Sequence, residues 1–255
     1  AKMLSESEVK RRDRSNKQLS FLTRGLNSAG KTAISCQTES QLRVKCYCEE
    51  NVWRLAFRRI CGLHDSVKNR DGGGKENVAY HVVFISNTER CCPMLYQKAS
   101  EYPLQPCYWD YHVILIESTN IVVKGKSHRK ICVLDMDSCL EYPTSLQVYL
   151  NRSFGELALC DGEKEQKLKP LFRVIPANSY LQHFSSDRTH MKKRDGTWLA
   201  PPPTYECITS SSSQINSQIS LSNLDEFINM TENKSNERPF LGEVVNMEQL
   251  QSEFS

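Results

Sequence analysis

Three residues of this chain combine side-chain type and position in a way that suits nucleophilic chemistry: Cys48, His112 and Asp135. Cys48 stands where an extended segment meets an amphipathic helix expected to begin at Glu49. A thiol there faces unpaired amides and the positive end of the helix dipole, both of which favour thiolate. Glu49 and Glu50 oppose this with negative charge, so the thiol needs a histidinium to ionise. Of the six histidines, His64 and His128 fall in polar loops, His183 on a helix beside solvent-type residues, and His190 in a charged segment; each has an ordinary surface explanation. His81 and His112 fall on strands. In Trp109-Asp-Tyr-His112-Val-Ile-Leu-Ile116, alternation puts His112 on the face of Ile114 and Ile116, where a buried imidazole needs a partner. Asp135 closes the next apolar strand. An antiparallel hairpin that sets His112 opposite Asp135 and Ile116 opposite Ile131 brings their Cβ atoms to about 5 Å. The 12-residue connection does not itself fix that register. A helix-capping Cys facing His and Asp from adjacent strands is the layout a Cys-His-Asp hydrolase requires.

Two other patterns compete. Gly25-Leu-Asn-Ser-Ala-Gly30-Lys31-Thr32 satisfies the phosphate-loop expression residue for residue, with amides to cradle phosphates and Lys31 to reach the β/γ oxygens. Its required context is a buried strand before Gly25, yet only three of the residues Gln18 to Arg24 are apolar, and the elements that follow look antiparallel. A nucleotide-binding protein built on Gly25–Thr32 is therefore the alternative function. Cys46-Tyr-Cys48 and Cys91-Cys92 invite a zinc reading, but structural zinc prefers knuckles with two to four intervening residues. No metal and no cofactor are expected, and Cys61, Cys132 and Cys160 read as small buried hydrophobes.

The elements that must hold these residues follow from periodicity. From Glu49 to Ile60, the residues Val52, Trp53, Leu55, Ala56 and Ile60 recur at three and four, which makes a helix. A loop at Gly72-Gly-Gly74 precedes three runs rich in β-branched and aromatic residues, Tyr80 to Ile85, Tyr111 to Ile116 and Ile131 to Leu134, which read as strands. A helix near Ser145 to Leu150, a strand at Phe172 to Ile175 and a helix from Asn178 to about Phe184 come next. Pro201-Pro-Pro203 is extended, and short helices span Asn223 to Met230 and Met247 to Phe254. The fold class is α+β with a largely antiparallel sheet.

Residues 1–45 carry ten basic and four acidic side chains and read as a basic, mobile extension; residues 46–255 form a single catalytic domain with inserted loops near 65–77, 118–129 and 209–221. The net +3 is thus a +6 tail on a −3 body, which gives no case for a nucleic-acid partner. At 255 residues, 39% hydrophobic and a mean hydropathy of −0.53, the chain is of soluble, globular type. No apolar signal region opens it and no run of about 18 apolar residues occurs, so neither a leader nor a membrane span is expected. The 11 cysteines, an odd number, then read as free thiols in a cytoplasmic, possibly also nuclear, compartment.

Several separated blocks carry a family resemblance: Cys46-Tyr-Cys48-Glu-Glu-Asn-Val-Trp53, Val83-Phe-Ile-Ser-Asn87, Trp109-Asp-Tyr-His112 and Ser186-Asp-Arg-Thr-His-Met191. Phe172-Arg-Val-Ile175, Ser179-Tyr-Leu181, Trp198 with Pro201-Pro-Pro203, and Asn223-Leu-Asp-Glu-Phe-Ile228 extend it. In that order, from Cys46 to the C-terminus, the chain resembles the N-terminal glutamine amidohydrolase family. The resemblance implies a papain/transglutaminase-like α+β core, its mainly antiparallel sheet packed on a helix that carries the nucleophile. It implies Cys48 as nucleophile, His112 as base and Asp135 as orienter, the three residues already reached. The family's aromatic-Asp-Leu-Asp-Thr pattern stands here as Leu134-Asp-Met-Asp137-Ser138, so Asp137 competes with Asp135, and strand parity favours Asp135. The implied reaction turns the N-terminal glutamine of a protein or peptide into glutamate and ammonia through a thioester, feeding the arginylation branch of the N-degron pathway. The enzyme so implied is a monomer that needs no nucleic acid, membrane or cofactor. Its pocket must recognise a free α-ammonium, for which Asp110 and Glu50 are candidates by proximity, with Tyr47 or Trp109 as walls.

Overall fold

The computed structural model describes residue 34 and residues 37–66, 76–123, 126–155, 167–210, 222–231 and 238–255. The phosphate-loop match at 25–32, the glycine loop at 72–74, Cys160 and nearly all of the loop expected near 209–221 lie outside them.

Helices α1 (Glu39–Leu42) and α2 (Cys48–Ser66) come first. Strands β1 (Glu76–Ser86), β2 (Cys92–Met94), β3 (Cys107–Trp109), β4 (His112–Val123), β5 (Lys126–Leu134) and β6 (Thr144–Ser145) follow. Helix α3 (Leu146–Phe154), β7 (Leu171–Pro176), α4 (Ala177–His183), α5 (Leu224–Ile228), β8 (Glu243–Val245) and α6 (Met247–Glu253) complete the order. Among the described residues one sheet runs β6-β5-β4-β1-β7-β8, antiparallel at each pairing, and β2 and β3 form a separate ribbon. The expected α+β class with a mainly antiparallel sheet is what the chain forms.

The central strands are buried on both faces, so alternation sorts their side chains between two cores. Val82, Phe84, Val113 and Leu115 join Val52, Trp53, Leu55, Ala56 and Phe57 of α2 with Tyr180 of α4 and Phe227 of α5. On the opposite face Val83, Ile85, Ile114 and Ile116 join Tyr149, Leu150 and Phe154 of α3 with Leu250 of α6. Each large side chain fully buried in this way contributes about 1.5–3 kcal/mol. The helix face expected from the three-and-four spacing is therefore the face α2 lays on the sheet.

Three expectations need correction. The segment 118–129 is not a loop: β4 runs to Val123 and β5 resumes at Lys126, forming a long hairpin. Its polar side chains sit comfortably there because the outer part of the hairpin is solvated, residues Lys126 to Lys130 being exposed, and Arg129 Nε donates to Ser118 Oγ at 3.2 Å. The register also differs, since Leu115 faces Leu134 and Ile116 faces Val133, a shift of two residues from the expected pairing. The mobile extension does not reach Lys45 either. Residues 37–45 are docked on the body: Thr38 and Gln41 form a capping box on α1, Leu42 is fully buried, and Glu39 meets Arg59 at 2.6 Å.

Candidate active site

Cys48 is the first residue of α2. The chain enters through Cys46, held in the left-handed region at φ 66, and Asn51 locks the approach by accepting from Val44 N at 2.8 Å and donating to Val44 O at 2.7 Å. Glu49 and Glu50 occupy the first turn, where the dipole welcomes negative charge, and Tyr180 OH donates to the Glu49 carbonyl at 3.2 Å. The helix start is thereby fixed against both the preceding loop and α4.

His112 is the first residue of β4 and is fully buried, on the same face as Ile114 and Ile116. Its Nε2 donates to Asp135 Oδ2 at 3.0 Å, while Nδ1 is buried without a hydrogen-bond partner. Trp109 stacks on the imidazole, with ring centroids 5.4 Å apart and planes 21° from parallel. Asp135 lies just past β5 and is not directly opposite His112. The two-residue shift leaves them diagonal across the hairpin, a geometry within reach of a long or aromatic side chain. Parity does not separate Asp135 from Asp137, because both share it; the turn after Leu134 does. Asp135 Oδ1 accepts from the Asp137 amide at 2.8 Å and Oδ2 from Tyr149 OH at 2.8 Å, which aims the carboxylate at His112. Asp137 turns instead to Arg43, whose Nε and Nη2 both reach its Oδ1 at 2.7 Å.

Burial opposes charge on His112, but the charge and hydrogen bond of Asp135, with Asp137 behind it, outweigh burial and raise the imidazole pKa. Burial likewise favours neutral Asp135, and His112, the Asp137 amide and Tyr149 outweigh it and lower that pKa. Each partner therefore favours the charged form of the other, and the carboxylate makes the imidazole a stronger base. Cys48 goes the other way: burial first, then Glu49 and Asp137, push its thiol well above the ordinary range, against the Val113 backbone amide, which favours the anion. Cys48 belongs to the core on one face of the sheet and His112 to the other, and the Val113 amide facing the sulfur ties the nucleophile to the strand end that carries the base.

The four expected substrate-binding residues separate. Glu50 is fully buried and taken by Arg188, with Nε to Oε1 and Nη2 to Oε2 both at 2.8 Å, so it braces the helix start. Asp110 is exposed and its Oδ1 accepts from the Tyr111 amide at 2.9 Å. Tyr47 is fully buried, with its hydroxyl donating to Ala200 O at 3.3 Å, and Trp109 covers the imidazole. Cys92 lies in the core on the sheet face opposite Cys48, so the two cysteine pairs do not form one cluster. Among the described residues no group of three or more His, Cys, Asp or Glu is placed to hold a metal ion.

Residue-by-residue reasoning passed over a neighbouring cluster. Glu49, fully buried, accepts from Tyr111 OH at 3.0 Å, and His190 Nε2 lies 3.4 Å from that hydroxyl and 3.6 Å from Glu49 Oε1. Burial, ahead of the Glu50 charge, raises the Glu49 pKa to about 8, against its own backbone amide and the hydroxyl of Tyr111. The available signal for His190 was its place in the Ser186–Met191 block rather than its local composition.

Residues 43–254 match the family model described as N-terminal glutamine amidase. The chain is 38% identical to the protein N-terminal glutamine amidohydrolase of Danio rerio over 189 residues, 72% of this chain and 77% of that one. It is 38% identical to the Drosophila melanogaster protein of the same name over 170 residues, 66% and 72% of the two chains. With the Bos taurus protein so named it shares 35% identity over 185 residues, 72% and 75% of the two.

Proposed function

The chain belongs to the N-terminal glutamine amidase family, and from that premise we propose that Cys48, His112 and Asp135 carry out the family's reaction through a thioester. The enzyme is an N-terminal glutamine amidohydrolase: it hydrolyses the side-chain amide of glutamine at the start of a protein or peptide, leaving glutamate and ammonia. The single observation that carries the residue roles is the division of labour on His112, whose Nε2 is anchored to Asp135 while its buried Nδ1 has no partner.

A thiol held neutral in the empty site does not attack by itself. His112 Nδ1 takes the Cys48 proton as the sulfur adds to the carboxamide carbon, and Asp135 stabilises the imidazolium. The oxyanion meets backbone amides at the start of α2, that of Cys48 first among them. His112 returns the proton to the leaving nitrogen, which departs as ammonia. Water, deprotonated by His112 Nδ1, then cleaves the thioester, and the departing thiolate takes that proton back to restore the thiol.

A helix-borne thiol followed by antiparallel strands carrying base and orienter supports assignment of the body to the papain/transglutaminase-like class. We read residues 46–255, with the docked segment before them, as one catalytic domain acting as a monomer in the cytoplasm and nucleus, where a working thiol stays reduced. Among the described residues no helix is long and apolar enough to cross a membrane.

The test is ammonia release from a peptide that begins with glutamine. Cys48→Ala should reduce it to background while leaving the folded state intact by circular dichroism. Turnover at the parental rate in that variant would remove the thioester mechanism.

A further inference from the structure

Glu49 has properties that a helix-capping carboxylate does not require. It is fully buried beside the nucleophile, with Cys48 Sγ 3.7 Å from its Oε2, and its Oε1 has no hydrogen-bond partner among the described residues. Leaving a buried polar atom unpaired is costly, and a site recovers that cost only when a donor arrives. His190 Nε2, 3.6 Å away, is too distant to be that donor. Burial holds His190 below its ordinary pKa, which favours the neutral ring, and with its proton on Nδ1 the ring turns an acceptor toward the cluster. Its side chain is 27% exposed, so solvent reaches the cluster on that side.

Resting on the amidohydrolase reading, we propose that Glu49, flanked by Tyr111 and His190, receives the α-ammonium of the substrate and so restricts the enzyme to glutamine in first position. Glu49 Oε1, the Tyr111 oxygen and, in the Nδ1–H tautomer of its ring, His190 Nε2 give a three-proton cation three acceptors in one place. The span is right as well. The amine nitrogen and carboxamide carbon of glutamine are four bonds apart, at most about 5 Å, so the ammonium receptor must lie within a few ångströms of the attacking sulfur. Glu49 does, whereas Glu50 has both oxygens committed to Arg188 and Asp110 is exposed.

The same contact links recognition to reactivity. With its pKa near 8, Glu49 takes its charged form when the ammonium binds, and the paired cation offsets the negative charge that would otherwise oppose the Cys48 thiolate. An internal or N-acetylated glutamine brings no cation and gains neither effect.

The decisive comparison uses a Gln-first peptide and its des-amino analogue, in which hydrogen replaces the α-ammonium. The parent should favour the free amine by ~10³-fold or more in kcat/KM, as sites built around a buried polar partner do. In Glu49→Gln that ratio should fall to ~10 or below, because the buried charge is gone. General damage to the site lowers both peptides alike and keeps the ratio, and a retained ratio overturns the assignment. A parent that does not discriminate overturns it too. Absence of ammonia from both peptides with the parent protein instead defeats the amidohydrolase reading on which the proposal rests. Should Glu49→Gln not fold, Glu49→Asp withdraws the carboxylate by one methylene, and the ratio should fall at least ~10-fold; an unchanged ratio again overturns the assignment.

Discussion

At the residue scale, the competition between Asp135 and Asp137 ends in a division of tasks. Asp135 carries the His112 bond, and Asp137 carries Arg43 and lends its amide to Asp135. Asp135→Asn should therefore lower kcat by on the order of 10⁴-fold, the size of effect seen when a triad carboxylate becomes an amide. Asp137→Asn should stay within about tenfold of the parent, and the reverse ranking in steady-state kinetics would reassign the orienter. The pair also sets a pH window for stability. The depressed Asp135 contributes above the unfolded aspartate pKa of about 4 and loses its contribution as pH falls through its lower folded value. The raised His112 contributes fully below about 6.5 and loses its contribution as pH rises through its higher folded value. The difference in melting temperature between the parent and Asp135→Asn should thus be widest between about pH 4 and 6.5 and should narrow on both sides. The chemical residue types were readable in the sequence; the identity of the ammonium partner was not. Glu49 and Glu50 are adjacent glutamates on one helix turn, and only the placement of Arg188, 138 residues away, consumes one and spares the other.

At the element scale, α2 is legible because its apolar spacing matches the face it buries. The segment before it is not legible in the same way: Thr38 to Lys45 is polar by composition, and its hold on the body comes from long-range partners that no local window contains. Leu42 fills the core under α2, Arg43 reaches Asp137 and Glu39 reaches Arg59. Leu42→Ala should cost about 2–5 kcal/mol in denaturant unfolding, as a core truncation does. A loss within about 0.5 kcal/mol, typical of surface positions, would return the segment to an appendage. The hairpin of β4 and β5 teaches a related lesson. Polar residues that a composition reading gives to a loop sit on solvated strand ends, and the true register moved His112 and Asp135 from opposite to diagonal without parting them.

At the scale of the whole molecule, the site is assembled at one end of the sheet from both of its faces. The nucleophile comes from the helix layer on one side, the base and its orienter from the core on the other, and the segment carrying Arg188 and His190 closes around the helix start. The Arg188–Glu50 pair is the tie that joins that segment to α2, with both side chains almost wholly buried. Arg188→Met leaves Glu50 unpaired and should cost about 3–5 kcal/mol by chemical denaturation, while the double change with Glu50→Gln should restore much of that loss. The sequence by itself determined the chemistry: a thiol at a helix start, an imidazole and a carboxylate on neighbouring strands, and blocks whose order matches one family. Those properties are local or one-dimensional, carried by residue type and by periods of two and 3.6. The tertiary structure decided the register, which glutamate stays unpaired, and which histidine joins the pocket. Each of these depends on side chains far apart in the chain competing for the same few polar atoms, and that competition is settled only when the layers close over the end of the sheet.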